Sequence, residues 1–429
     1  MQSQLIQHRS LVCRAIVLSA AIGCSSDQVT APPAPTGSIV VTPSRLVLGV
    51  GMSRQVTATV RDESGAPVAG ATVSFVSSDS GRVRVTPDGV ASYVGPGEAE
   101  IRVSSQDLEA AMPYTGLGSG HPARLVTTST RLPGDREGDA PFGVAVDGQG
   151  RILISQADSG LVVSDFYPLT GPTARSVDGS PTSIALLAGG TALVTPTGAD
   201  DQNASIIDLS SDRVLAQIPL GDTAYSAVTA PDSHTVYLGT THGRVLVFDA
   251  ASSSVTDTIG LELAHSRLNH LALNSAGTLL YASSFTSGAI SEIDLAQQKE
   301  ARIFIVGGEP QGVALTPDGS ELYVANEAGN GHIDIYNVVT NVHEASIPSG
   351  ASTSVGGAFG LAISPDGSKV YVGVTSNEGP GLIQLLDTGT RTITRTFNSC
   401  GSTPRRIAFG YSGGLAVIAD ESGCATFVE

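Results

Sequence analysis

The sequence holds no tryptophan and only two lysines, Lys299 and Lys369, in 429 residues. A phosphate backbone is gripped by clustered Lys and Arg, and no basic run occurs here. Nucleic acid is therefore not an expected partner. The formal net charge is -17, and it becomes -19 once the first 23 residues, which carry Arg9 and Arg14 but no acid, are set aside. That acidic balance chiefly serves solubility. Charged residues are scarce at 15%, whereas 41% are hydrophobic and there are 50 glycines and 23 prolines. Such a balance favours many short strands joined by tight turns over helices, so the composition reads as all-β. Equally absent are a His-Glu-x-x-His motif, a Gly-x-Ser-x-Gly elbow and a phosphate-binding glycine loop.

No apolar run reaches the roughly 20 residues a spanning helix needs. The amino terminus instead has a weakly basic start (His8, Arg9, Arg14), a short apolar stretch from Ala15 to Gly23, and then Cys24-Ser-Ser-Asp27. That order is a secretory signal, with residues 1–23 removed. The run Ala21-Ile-Gly-Cys24 resembles a bacterial lipobox, although Ala21 stands where that family usually has Leu. The resemblance implies that Cys24 is lipid-modified and that the protein is anchored at the outer membrane, Ser25 matching the family's sorting choice. The alternative is an ordinary signal peptide with a chance cysteine. Residues 24–37, rich in Ser, Pro and Ala, would form a flexible tether.

Residues 38–115 alternate like the strands of a small sandwich. From Gln55 to Arg61 the apolar Val56, Ala58 and Val60 interleave with Gln55, Thr57 and Thr59. Val73 and Phe75 repeat the pattern, and so do Ala99, Ile101 and Val103, with turn residues between them. The segments Gly65-Ala-Pro-Val-Ala-Gly-Ala-Thr-Val-Ser-Phe75, Ser77-Ser-Asp-Ser80, Gly89-Val90 and Pro96-Gly-Glu-Ala99 resemble the group 2 bacterial immunoglobulin-like domains, with Phe75 where that family usually has Trp. The resemblance implies a spacer or adhesion module.

From about residue 120 to 429 one pattern recurs: a small residue, an apolar one, Ala, another apolar one, then a turn and an apolar strand. The copies centre on Ala145, Ala185, Val228, Ala272, Ala314, Ala362 and Ala408, a period of 40 to 48 residues. Pro317-Asp-Gly319 and Pro365-Asp-Gly367 supply hairpin turns. A third strand then ends near Asp249, Asp294, Asn337 or Asp387, and a fourth follows. Four antiparallel strands in such a period make a propeller blade, and seven copies make a seven-bladed β-propeller. The blades resemble the YVTN family of β-propeller repeats, most closely in Tyr323-Val-Ala-Asn326 and more loosely in Tyr237-Leu-Gly-Thr240, Tyr281-Ala-Ser-Ser284 and Tyr371-Val-Gly-Val374. The missing tryptophan excludes a WD40 propeller of the usual form.

The last copy runs to only three strands, whereas Ala123–Arg131 precedes the first copy in the register of an outer strand. That segment is expected to complete the seventh blade and leave no sheet edge at the junction. Cys13 lies in the signal and Cys24 takes the lipid, which leaves Cys400 and Cys424. In an oxidising compartment the pair invites a disulfide pinning the closure; two unrelated buried thiols are the other reading.

The inner strands begin at Phe142, Thr182, Tyr225, Asn269, Gln311, Phe359 and Arg405, a mostly neutral set. None is acidic, so a calcium-type catalytic centre is disfavoured and neither metal nor cofactor is expected. His265 and His270 lack a matched acid at fixed spacing. Asn269, His270, Gln311, Arg405, Arg406, Glu309 and Glu327 are the candidate binding residues. The expected function is a monomeric, membrane-tethered binding or scaffold module whose propeller face engages a protein or glycan of the cell envelope. The alternative is a lactonase- or lyase-like propeller enzyme drawing on Arg405, Arg406, His270, Glu309 and Glu327.

Overall fold

The computed structural model describes residues 37–428 apart from short segments, chiefly 43–45, 49–52, 117–124, 132–140, 165–172, 197–201, 263–266, 350–354 and 411–414. The signal, Cys24 and nearly all of the tether therefore lie outside the described residues. No helix among those described is long and apolar enough to cross a membrane. Strands dominate, and the single helical element among the described residues is a 3-10 turn at Ala188–Gly190.

The strands between residues 38 and 116 form three small sheets. Leu46–Leu48, Leu108–Gly116, Gly97–Ser105 and Ser74–Ser77 make one, Ser53–Gln55, Val90–Tyr93 and Val83–Val85 another, and Ser38–Thr42 pairs with Thr57–Arg61. Their inward residues, among them Val56, Val83, Ile101, Val103, Met112 and Tyr114, bury one core. The alternation in 55–61 is present, but not as one strand. The chain breaks at Val56, whose N–H donates to the Gly89 carbonyl at 2.9 Å, so that Gln55 and Thr57 pair in different sheets.

The later strands form seven four-stranded antiparallel sheets among the described residues. Sheet I comprises Pro141–Val146, Ile152–Gln156, Gly160–Ser164 and Thr173–Arg175, and sheet II comprises Pro181–Leu187, Thr191–Pro196, Asn203–Asp208 and Arg213–Pro219. Sheet III runs Ala224–Thr229, Thr235–Thr240, Arg244–Asp249 and Ser254–Gly260; sheet IV runs Leu268–Leu273, Leu279–Ser284, Ala289–Asp294 and Lys299–Ile305. Sheet V has Pro310–Leu315, Glu321–Asn326, His332–Asn337 and Val342–Pro348, and sheet VI has Val355–Ile363, Lys369–Ser376, Leu382–Asp387 and Thr392–Asn398. Sheet VII takes Pro404–Phe409, Ala416–Asp420 and Cys424–Val428, and its fourth strand is Leu125–Arg131, antiparallel to Cys424–Val428. The early segment thus supplies the outer strand its register foretold, and Cys400 and Cys424 are joined by a disulfide beside it.

Seven apolar clusters fill the spaces between consecutive sheets. Leu187, Leu193 and Ile206 of sheet II meet Val236, Leu238 and Phe248 of sheet III, and equivalent seams follow through sheets IV, V, VI and VII. A further seam joins sheets I and II, and the last joins Phe427 and Val417 of sheet VII to Ile152 and Ile154 of sheet I, so the succession returns to its start. Being covered on both faces, second strands such as Thr235–Thr240 are buried at every position after the first.

Two local rules explain the repeat. First, the small residue near the start of an inner strand permits close approach of the next sheet. A Cβ on Gly143 would lie 2.5 Å from the Thr182 carbonyl oxygen, and one on Gly360 2.5 Å from that of Arg405. Second, the Asp or Asn that ends the third strand in sheets II to VI caps the following turn. Asp249, Asp294, Asn337 and Asp387 accept backbone N–H bonds from residues two or three positions on. Four positions after each of these acceptors the backbone turns left-handed, at Ser253, Gln298, Asn341 and Arg391 with φ of 50° to 55°.

Candidate binding site at the inner-strand ends

All seven inner strands are offset by a bulge within their first residues, which re-aims the side chains there. Successive sheets supply Phe142, Thr182, Tyr225, Asn269, Gln311 and Phe359, all buried, together with the partly buried Arg405. They converge. The rings of Phe142 and Tyr225, from non-adjacent sheets, meet edge to face with centroids 5.2 Å apart. Arg405 lies 3.9 Å over Phe359 and 5.4 Å over Phe142, while Arg267 lies 4.3 Å over Tyr225.

One residue further along each strand, Gly143, Ser183, Ser226, His270 and Arg406 line a cavity of about 90 Å³, with Val144, Ile184, Ala227 and Ile407 behind them. Five of seven inner strands thus contribute to one space, four of them through the same two positions and sheet IV through His270 alone. Arg406 reaches across from sheet VII to hydrogen-bond the Asn269 carbonyl oxygen of sheet IV. Burial, with Arg405 and Arg267 nearby, lowers its pKa to about 10, so it stays cationic. Among the described residues no carboxylate pairs with it, and its guanidinium also lies 5.9 Å over Phe142. His270 is held through Nδ1, 3.1 Å from the Val313 N–H and 2.9 Å from the Val313 carbonyl oxygen. Burial first, then the Arg406 charge, bring its pKa down to about 3, so the ring is neutral at physiological pH.

Beside the cavity a chain of hydrogen bonds runs through three sequence-selected residues. Arg267 Nε donates to Asn269 Oδ1 at 2.6 Å, Asn269 Nδ2 donates to Gln311 Oε1, and Gln311 Nε2 donates to Glu327 Oε2 at 2.5 Å. Arg405 is engaged separately, with both Glu421 carboxylate oxygens at 2.5 and 2.6 Å. The structure thus brings Asn269, His270, Gln311, Glu327, Arg405 and Arg406 together. Glu309 stands apart: its side chain is exposed, and its backbone N–H donates to Asn326 Oδ1 at 2.9 Å. Asn326 also donates to the Gly307 carbonyl and accepts from the Ala328 N–H, which is turn-building rather than ligand-facing.

Sequence reasoning did not single out Arg267 or Glu421. The one usable signal for Arg267 is its place two residues before Asn269. Missed as well is Asp222, whose buried carboxylate accepts from Arg244 Nη2 at 2.6 Å and lies 2.7 Å from His242 Nδ1. Burial opposes its ionisation, but the His242 and Arg244 bonds outweigh burial and hold the pKa below the usual carboxylate value. His265 lies outside the described residues.

Among the described residues, one group of three metal-capable side chains lies close together: Cys400, Asp420 and Cys424. Its sulfurs are bonded to each other and offer no thiolate. Asp420 is already taken by Ser399 Oγ at 2.7 Å and by the Thr403 and Ser422 N–H groups. The group is a structural clasp rather than a metal centre.

No protein-family model matches the sequence, and no curated protein matches it. Among solved structures the chain is similar to one described as Kuenenia stuttgartiensis Hydrazine Synthase, with a TM-score of 0.60 and 17% identity over 70% of this chain and 97% of that one. At that identity the likeness concerns the fold.

Proposed function

We propose that residues 120–429 form a closed seven-bladed β-propeller of YVTN type, carried on a bacterial immunoglobulin-like domain at 38–115 and tethered to the outer membrane through a lipid on Cys24. In this reading the protein acts by binding an envelope glycan or protein at the inner-strand ends. The seven seams, the last of which joins sheet VII back to sheet I, support the closure. The observation that carries the binding role is the convergence of aromatic, amide and arginine side chains from six of the seven repeats on a single recess, with neither Arg267 nor Arg406 in direct contact with a carboxylate among the described residues. Because those side chains are mostly buried, the recess suits a sugar or a chain end better than a broad protein face.

A second reading, a propeller enzyme acting on a small periplasmic substrate, draws on one observation: neutral His270 and cationic Arg406 line the same cavity, a base beside an anion-stabilising group. Sedimentation of the full chain with separated envelope glycan and protein fractions tests the binding role. Saturable binding that drops at least tenfold in an Arg267→Gln, Gln311→Ala variant is expected, with the bound material recovered unchanged. Chemical conversion of that material would move the assignment to the enzyme, and absence of binding to any fraction would remove the binding role.

A further inference from the structure

The proposed recess is electrostatically out of character with its protein. The chain as a whole is strongly acidic, yet Arg267, Arg405 and Arg406 gather at one end of the inner strands. Glu421 neutralises Arg405, and Glu327 terminates the chain that begins at Arg267. Among the described residues, three positive charges against two negative leave an excess of one. The group left among them without a counter-charge is the Arg406 guanidinium, whose described hydrogen bond uses a single N–H to the Asn269 carbonyl and whose surface lines the cavity. The same cavity offers the Ser183 hydroxyl, which has no described hydrogen-bond partner, and the His270 ring, whose Nδ1 is already held at Val313.

We propose that this cavity binds the carboxylate of a small monoanionic acid, with Arg406 as its ion-pair partner and Ser183 and His270 as flanking polar contacts. The proposal rests on the binding role assigned above and specifies its ligand. Guanidinium and carboxylate match as planar forks, giving paired charge-assisted bonds in a site screened from water. The single excess charge fits a monoanion better than a phosphate dianion. About 90 Å³ accommodates a carboxylate with the few atoms next to it, so the acid is either a free short-chain acid or the acidic group of a sugar projecting inward.

Titration calorimetry of the full chain at constant ionic strength tests it, using acetate, glucuronate, inorganic phosphate, chloride and glucose singly. Saturable binding of acetate or glucuronate, at least tenfold tighter than phosphate or chloride and with no heat from glucose, is expected. Glucuronate binding more tightly than acetate would identify an acidic sugar, and the reverse a free acid. Arg406→Lys should weaken the carboxylate at least tenfold, and Arg267→Gln several-fold should Arg406→Lys fail to fold. The control Arg395→Gln, on an exposed outer strand, should bind as the wild type does. Carboxylate binding that is absent, that survives both substitutions, or that phosphate equals would overturn the proposal. If envelope material still binds in the sedimentation experiment while no carboxylate does, the ligand class fails and the binding role stands.

Discussion

His270 shows how a single residue couples the cavity to stability. Its ordinary pKa of 6.5 falls to about 3 in the native protein. Between those values the unfolded chain takes up a proton that the folded one refuses, so its contribution is whole above pH 6.5 and is lost as pH falls toward 3. Urea unfolding should therefore show a decline of about 1–2 kcal/mol between pH 7 and pH 5, discounted for partial exposure, and His270→Gln should flatten that part of the profile. A pH-independent midpoint across that interval would show that the imidazole is solvated. At Gln298 the backbone is left-handed, at a cost to an L-residue of about 1 kcal/mol. Gln298→Gly should recover a good part of it, read as a higher urea midpoint with an unchanged slope. The sequence announced the capping Asp294 but not this strain, because a Gln four residues on carries no mark of its φ. Glu309 and Glu327 were likewise indistinguishable as loop acids. Only the fold places Glu327 against Gln311 and leaves Glu309 in solvent.

At the level of strands and turns, most of the architecture was legible, since period-2 alternation and Pro-Asp-Gly turns report directly on backbone geometry. The borrowed outer strand was legible because one copy of the repeat was a strand short. The break at Val56 was not, because a chain crossing between two sheets keeps its in-out alternation while changing hydrogen-bond partners. The small residues beginning the inner strands were visible as a pattern, and their reason is now physical. Gly360→Ala should cost about 1–3 kcal/mol, because the new Cβ meets backbone of sheet VII that cannot swing aside. Thermal unfolding would show it, and a neutral outcome would mean that sheets VI and VII are more loosely apposed. Reducing the Cys400–Cys424 bond, which spans 24 positions of sequence, should cost about 3 kcal/mol through the freedom returned to the unfolded chain. Comparing denaturation with and without dithiothreitol, and with Cys400→Ser, checks it.

For the molecule as a whole, composition alone pointed to the class: scarce charge and abundant glycine and proline already favour strands and tight turns over helices. Its site was legible only in outline. Side chains at equivalent repeat positions were bound to cluster, and Asn269, Gln311 and Arg405 did at one position, His270 and Arg406 at the next. Arg267 and Glu421 entered through loop paths that no periodicity encodes. With an apolar seam on each side of every sheet, the repeat region should unfold as one cooperative unit. Phe427→Ala in the seam between sheets VII and I should lower a single calorimetric transition by about 3–5 kcal/mol rather than split it, and two resolved transitions would contradict cooperativity.

The pairing of Leu125–Arg131 with Cys424–Val428 also constrains the order of events during synthesis. A strand made early must wait, unpartnered, until the far side of the repeat has been translated and delivered. Until then Ile152 and Ile154 present bare hydrocarbon on one flank. A nascent chain thus carries an adhesive flank on its first sheet, and whatever covers that flank until the seventh sheet is made governs how much of the chain folds rather than aggregates.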